Sequence, residues 1–190
     1  MDKLYIVYGR DYITFTMGNT EGDIFGLFKT REEAEDYAIQ RAHTSFNTFN
    51  EKEPRCLYNN ENLVWICGEE DYYTKPTEIG IKELTLIKAK PNELLNKNEE
   101  DTVWVTFGTL DNQDCPEHYP LPIAFTNPRE ASSYMLMKAY KSFIEFDTPT
   151  EDIMFYTNKC NGEDIVNKIF DGEDWMVELR LVPLMVNKEE

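Results

Sequence analysis

Histidine is almost missing from this sequence, with two in 190 residues, and basic side chains are scarce. Nineteen lysines and arginines face thirty-six acids, a formal net charge of −17 at pH 7. Phosphate affinity comes from Lys and Arg, so direct, sequence-independent binding to DNA or RNA is excluded as a working reading. Docking on an anionic membrane is disfavoured for the same reason. Long apolar runs are also lacking. The best, Tyr5 to Tyr8 and Leu63 to Cys67, fall far short of the ~20 residues of a membrane helix. The start, Met1-Asp2-Lys3-Leu4-Tyr5, has neither a basic segment nor an apolar core, so no export signal is expected. Cys56, Cys67, Cys115 and Cys160 sit at no framework spacing and read as reduced thiols of a cytoplasmic protein.

What is present is material for a core. Hydrophobic residues make up 41% of the chain and aromatics 13%, which excludes a wholly disordered polymer. The sequence also repeats itself. Thr30 to Phe49 aligns without gaps on Asn127 to Phe146, with identities at Glu33/Glu130, Ala34/Ala131, Tyr37/Tyr134, Ala42/Ala139, Ser45/Ser142, Phe46/Phe143 and Phe49/Phe146. Upstream, Leu4 to Gly9 parallels Val103 to Gly108; downstream, Lys82 to Ile87 parallels Val177 to Val182. Three blocks in one order point to an internal duplication.

The central block predicts a helix in each half. Thr30 and Asn127 are good N-caps, each followed three residues later by Glu33 or Glu130, and Pro128 suits a first helical position. Ala34, Tyr37, Ala38, Arg41 and Ala42, like Ala131, Tyr134, Met135 and Ala139, recur at the spacing of a buried helical face. His43 aligns with Tyr140, which suggests packing with a polar tip. The flanks predict strands: Tyr5–Tyr8 and Val103–Phe107, Ile24–Phe28 and Pro122–Phe125, Leu63–Cys67 and Ile153–Tyr156, Glu78–Ile87 and Trp175–Val182. Asn161-Gly162-Glu163 is expected to cap a short helix through Phe170 in the second half only. The expected class is α+β, in two tandem copies of a β-β-α-β-β module, each a mostly antiparallel sheet with one helix packed on one face. The expected boundaries are 1–90, an acidic linker at 91–101, and 102–190.

The acidity is clustered at Glu69-Glu70-Asp71, Glu99-Glu100-Asp101, Glu163-Asp164 and Asp171-Gly-Glu173-Asp174. Two readings stand side by side. One is a solvated surface that keeps the protein soluble. In the other, ordered carboxylates imitate nucleic-acid phosphates and occupy a basic cleft on another protein, with Tyr72, Tyr73 and Trp175 as apolar anchors. Catalytic chemistry finds little support. Cys115-Pro-Glu-His118 has the spacing of half a zinc site but no second pair follows, so no metal and no cofactor is expected. There is no P-loop, no dinucleotide fingerprint after a strand, and no EF-hand loop at Asp111 to Asp114.

Each half carries a strand ending Tyr8-Gly9 or Phe107-Gly108, then Phe28-Lys-Thr30 or Phe125-Thr-Asn127, then the Glu-Ala-x-x-Tyr helix and two strands. This order, in an acid-rich, Asn-, Lys- and Tyr-rich chain, resembles small acidic phage-encoded inhibitors of host defence, of the anti-CRISPR and anti-restriction kind. The resemblance implies a non-enzymatic inhibitor whose partner is a basic nucleic-acid-binding protein, a host nuclease or CRISPR effector. It assigns no individual site residue. The competing expectation is a general protein–protein adaptor or immunity-type protein whose acidity only gives solubility. The sequence leaves the oligomeric state open.

Overall fold

The computed structural model describes residues 2–10, 22–47, 55–59, 62–67, 77–89, 102–110, 118–160, 162–171 and 177–187. The chain is mixed α+β. Its contacts divide it into two units, Lys3–Leu84 with Asn187–Glu190, and Met1–Asp2 with Thr85–Val186. Residues 91–101, expected as a linker, lie outside the described residues.

The N-terminal unit holds β1 (Asp2–Arg10), β2 (Asp23–Phe28), α1 (Arg31–Asn47), β3 (Arg55–Asn59), β4 (Asn62–Cys67) and, up to Leu84, β5 (Thr77–Ile87). Its strands lie in the order β2-β1-β5-β4-β3. Tyr5 sits opposite Phe28 and Ile6 opposite Leu27 in an antiparallel pair that slips between Val7 and Tyr8. A reciprocal capping box starts α1: the Glu33 N–H donates to the Thr30 hydroxyl at 3.2 Å, and the Thr30 N–H to the Glu33 carboxylate at 2.9 Å. Two orphan amides of the helix end are thereby satisfied. Ala34, Ala38 and Ala42 are fully buried against Val7, Phe28, Ile79 and Ile81. Small side chains let the helix axis lie close to the strands, where larger ones would hold it off. At the rim, the Tyr37 hydroxyl donates to the Phe25 carbonyl at 3.1 Å, and the Arg41 guanidinium lies 3.8 Å over the Phe25 ring. The outer edge of β2 is engaged by the Asn187 N–H, which donates to the Leu27 carbonyl at 2.8 Å.

The C-terminal unit holds β6 (Thr102–Thr109), β7 (Tyr119–Phe125), α2 (Pro128–Glu145), a 3-10 turn (Thr150–Asp152), β8 (Ile153–Cys160), β9 (Glu163–Asp171) and β10 (Glu178–Met185). The order here is β7-β6-β10-β9-β8. Within this unit Thr85–Ile87 run parallel to Ile123–Phe125 on β7. Trp104 lies opposite Phe125 and Val105 opposite Ala124, with a slip between Val105 and Phe107. The Asn127 side chain accepts from the Arg129 N–H at 2.9 Å, and Pro128 opens the helix. Ala131, Met135 and Ala139 of α2 are buried with Ile165, Ile169, Val177 and Leu179. Phe125 packs on Tyr134 with ring centroids 5.4 Å apart.

Three expectations need correction. Glu163 to Phe170 is strand β9, not a helix. Asn-Gly between two β-rich runs is the strongest short hairpin signal, and Gly162 takes a left-handed φ of +82° as Cys160 pairs with Glu163. Strand β3 was not expected at all; it pairs with β4, Asn59 opposite Asn62, so with β9 each unit runs β-β-α-β-β-β and not the expected β-β-α-β-β. The last-strand alignment of Lys82–Ile87 on Val177–Val182 is also out of register. A Cβ on Gly9 (φ +137°) would meet the Glu78 carbonyl oxygen at 2.0 Å, and one on Gly108 (φ +151°) the Glu178 carbonyl oxygen at 1.8 Å. Glu78, not Glu83, therefore holds the place in its unit that Glu178 holds in the other.

Both glycines combine a backbone conformation hostile to L side chains with a neighbour that cannot yield, because it is main chain. Gly9→Ala and Gly108→Ala should each cost about 3 kcal/mol or more in denaturant unfolding. Gly162→Ala meets no atom within 4 Å and should cost only about 1 kcal/mol. The capping box adds a pH signature. Hydrogen bonding from the Thr30 N–H holds the Glu33 carboxyl below its ordinary value. Its contribution is complete above the unfolded pKa and lost as pH falls through the lower folded one. Protection of the first-turn amides of α1, taken relative to their intrinsic exchange rates, should fall across that acid window, while the Asn127-capped start of α2 changes less.

Candidate functional site

The C-terminal unit buries an ionic group where the strand pattern would place it at a half-exposed rim. Glu178 is 4% exposed and His118 5%. The Lys168 ammonium lies 2.6 Å from one Glu178 oxygen, and His118 Nε2 lies 3.9 Å from the other. His118 meets the Phe107 ring edge-on at 5.9 Å, and the Arg180 guanidinium lies 5.2 Å from that same ring. Lys168 also lies 5.3 Å from the Phe170 ring. The counterpart carboxylate, Glu78, is half-buried and faces Arg10 at 3.4 Å. This cluster ties β9 to β10 across their ladder. It resembles a structural ion pair in its chemistry, with a fixed cation already seated on the carboxylate.

The outward surface of α2 is different. Its inner positions are apolar apart from Ser132 and Ser142, and apolar too are Met137, Tyr140 and Ile144 on the far side, which are 45%, 65% and 61% exposed. Spacings of three and four residues place them in one stripe. The aligned positions of α1 are Gln40, His43 and Asn47, so the fold of such a helix does not require an apolar outer stripe. The packing role expected for His43 and Tyr140 is overturned, since both are exposed. Phe146 caps the helix end at 37% exposure, on the side of the inner Ser142 and Phe143, and Asp147 after it takes a left-handed φ of 53°. Exposed Glu145, Asp147, Glu151 and Asp152 follow along the chain. Sequence reasoning missed this surface because it looked for runs of acids; the gap-free helix alignment already contained the signal, polar in one helix and apolar in the other.

The residues singled out from sequence fare unevenly. Glu163 and Asp164 are exposed at the start of β9, and Glu163 is ion-paired with Arg129. Asp171 is turned inward: it is 3% exposed, and its carboxylate accepts the Val177 N–H at 3.0 Å. It closes the chain on itself and is not available at the surface. Glu69, Glu70, Asp71, Tyr72, Tyr73, Glu99, Glu100, Asp101, Glu173, Asp174 and Trp175 lie outside the described residues, as does Cys115. Among the described residues no group of three or more His, Cys, Asp or Glu is placed to hold a metal ion, and no helix is long and apolar enough to cross a membrane. No protein-family model matches the chain, and neither curated proteins nor solved structures show a match to it.

The Glu178 cluster generates a specific expectation. Lys168→Met leaves a buried carboxylate without its cation and should cost about 2–3 kcal/mol, discounted because Lys168 is partly solvated. The double variant Lys168→Met/Glu178→Leu should recover most of that loss in the same unfolding measurement. A double variant as unstable as the sum of both singles would show that the two side chains act independently and overturn the pairing.

Proposed function

We propose that this protein works by binding another protein that presents a basic, partly apolar surface, and that it inhibits that partner by occupying a cleft meant for nucleic acid. The observation that carries this reading is the outer stripe of α2, Met137, Tyr140 and Ile144, followed along the chain by the carboxylates of Glu145, Asp147, Glu151 and Asp152. Interfaces draw most of their binding energy from a few desolvated aromatic and aliphatic anchors, while surrounding charge sets approach and register. A net charge of −17 would steer the chain towards a cationic partner and away from nucleic acid itself. Host nucleases and CRISPR effectors are the partner class this reading favours.

A second reading, a protein–protein adaptor or immunity-type protein with no mimicry, has its own support. Asp171 and Glu163 already serve internal contacts, which leaves fewer carboxylates for imitation of a phosphate backbone. In either reading the two units descend from one duplicated module. What supports this is the shared strand order, the Tyr5–Phe28 and Trp104–Phe125 pairings, and the matched glycine–carbonyl contacts.

The test is capture of partners from a bacterial lysate at low salt, followed by a salt gradient and competition with duplex DNA. Mimicry expects release by rising salt and displacement by DNA, because both compete for the same cations. Tyr140→Ala with Ile144→Ser should weaken the complex tenfold or more, roughly 1.4 kcal/mol or above. A complex indifferent to salt, to DNA and to Glu145→Lys/Asp147→Lys/Glu151→Lys would remove mimicry and leave the adaptor.

A further inference from the structure

Strand β8 pairs with β9 on one side, and among the described residues no strand lies on its other side. Exposed edges are ordinarily blunted by Pro, inward charges, bulges or a covering segment. The β2 edge follows that rule through Asn187. Strand β8 does not. It reads Ile-Met-Phe-Tyr-Thr-Asn-Lys-Cys without Pro or Gly, and Met154, Phe155 and Tyr156 are 40%, 54% and 52% exposed. The one irregularity in its ladder lies between Tyr156 and Thr157, where the partners jump from Lys168 to Val166. The extra residue, Asn167, is therefore on β9, and β8 keeps an unbroken pleat.

We propose that β8 is a dimerisation edge, on which a second copy of this chain adds its own β8 antiparallel about a two-fold axis at Phe155. The charges choose both the occupant and the register. A two-fold axis perpendicular to the sheet requires one residue to face its own copy, so opposed residue numbers must sum to an even value. With Phe155 self-paired, Met154 faces Tyr156, Ile153 faces Thr157, and Lys159 comes abreast of the turn carrying Glu151 and Asp152. Two symmetric cation–acid contacts close the ends of an apolar centre. Moving the axis to Tyr156 sets Lys159 against Ile153 instead and wastes both charges. Glu151, Asp152 and Lys159 are exposed, and none makes an ion pair among the described residues. This inference does not rest on the inhibitor reading: the two share Glu151 and Asp152, but this one is carried by the β8 edge and its Lys159, and Phe155→Lys separates them because it touches neither those acids nor the α2 stripe.

The test is a concentration series by sedimentation equilibrium on the full chain and its charge variants. Wild type should dimerise reversibly. Lys159→Glu, which sets three acids together at each end, should weaken dimerisation about tenfold or more, and Phe155→Lys should abolish it. Adding Glu151→Lys and Asp152→Lys to Lys159→Glu should restore it, which a merely misfolded variant does not do. Phe155→Cys should form an intermolecular 155–155 disulfide, because directly opposed strand residues bring their Cα atoms within disulfide range. A wild type monomeric at all concentrations would overturn the proposal, as would a dimer unaffected by Lys159→Glu or one whose disulfide maps elsewhere. Loss of the dimer with the α2 partner still bound would leave the inhibitor reading standing.

Discussion

In each unit a glycine lies where no Cβ could fit against the neighbouring strand. Gly9 lies under the Glu78 carbonyl and Gly108 under the Glu178 carbonyl, both at a φ that other residues avoid. A side chain at either position would push two neighbouring strands apart, so the absence of a Cβ sets the register of the central pair. The rest is consequent. With Gly108 opposite Leu179, Thr109 stands opposite Glu178, and Glu178 opposite Phe170. That places the Glu178 carboxylate beside Lys168 and under His118.

Burial then separates two kinds of acid. Glu178 and Asp171 are held inside by a cation and by a backbone N–H, the conditions under which a buried charge is tolerable. Glu145, Asp147, Glu151 and Asp152 remain exposed beside apolar side chains that the core does not use. The aligned positions of α1, Gln40, His43 and Asn47, are polar in sequence, and Gln40 and His43 are exposed, which makes the contrast informative, because the same inner alanine pattern folds with either kind of residue there.

Much of the architecture was legible in the residues. The Thr30/Glu33 capping box, the Asn127-Pro128 start and the alanine rows announce both helices, since caps and 3.6-residue periodicity are local. Strands β1, β2, β6 and β7 were legible from β-branched and aromatic runs. Strand β9 was misread because Asn161-Gly162 serves equally as a helix boundary and as a hairpin turn, and only pairing decides between them. Arg55-Cys-Leu-Tyr-Asn59 was passed over because a short strand with charged and polar ends carries little signal without its partner β4.

The candidate surfaces were less legible, for a reason of distance. Runs such as Asp171-Gly-Glu173-Asp174 attract the eye in sequence, yet Asp171 turns inward to meet Val177, a neighbour six residues on. By itself the sequence determined what is local: helix caps, buried helical faces, β-rich runs and an acidic excess. Only the tertiary structure decided the strand register, the inward carboxylates and the place of β8 at the end of the described strand order, because each depends on which strand lies alongside, and that is set by packing between residues far apart in the chain.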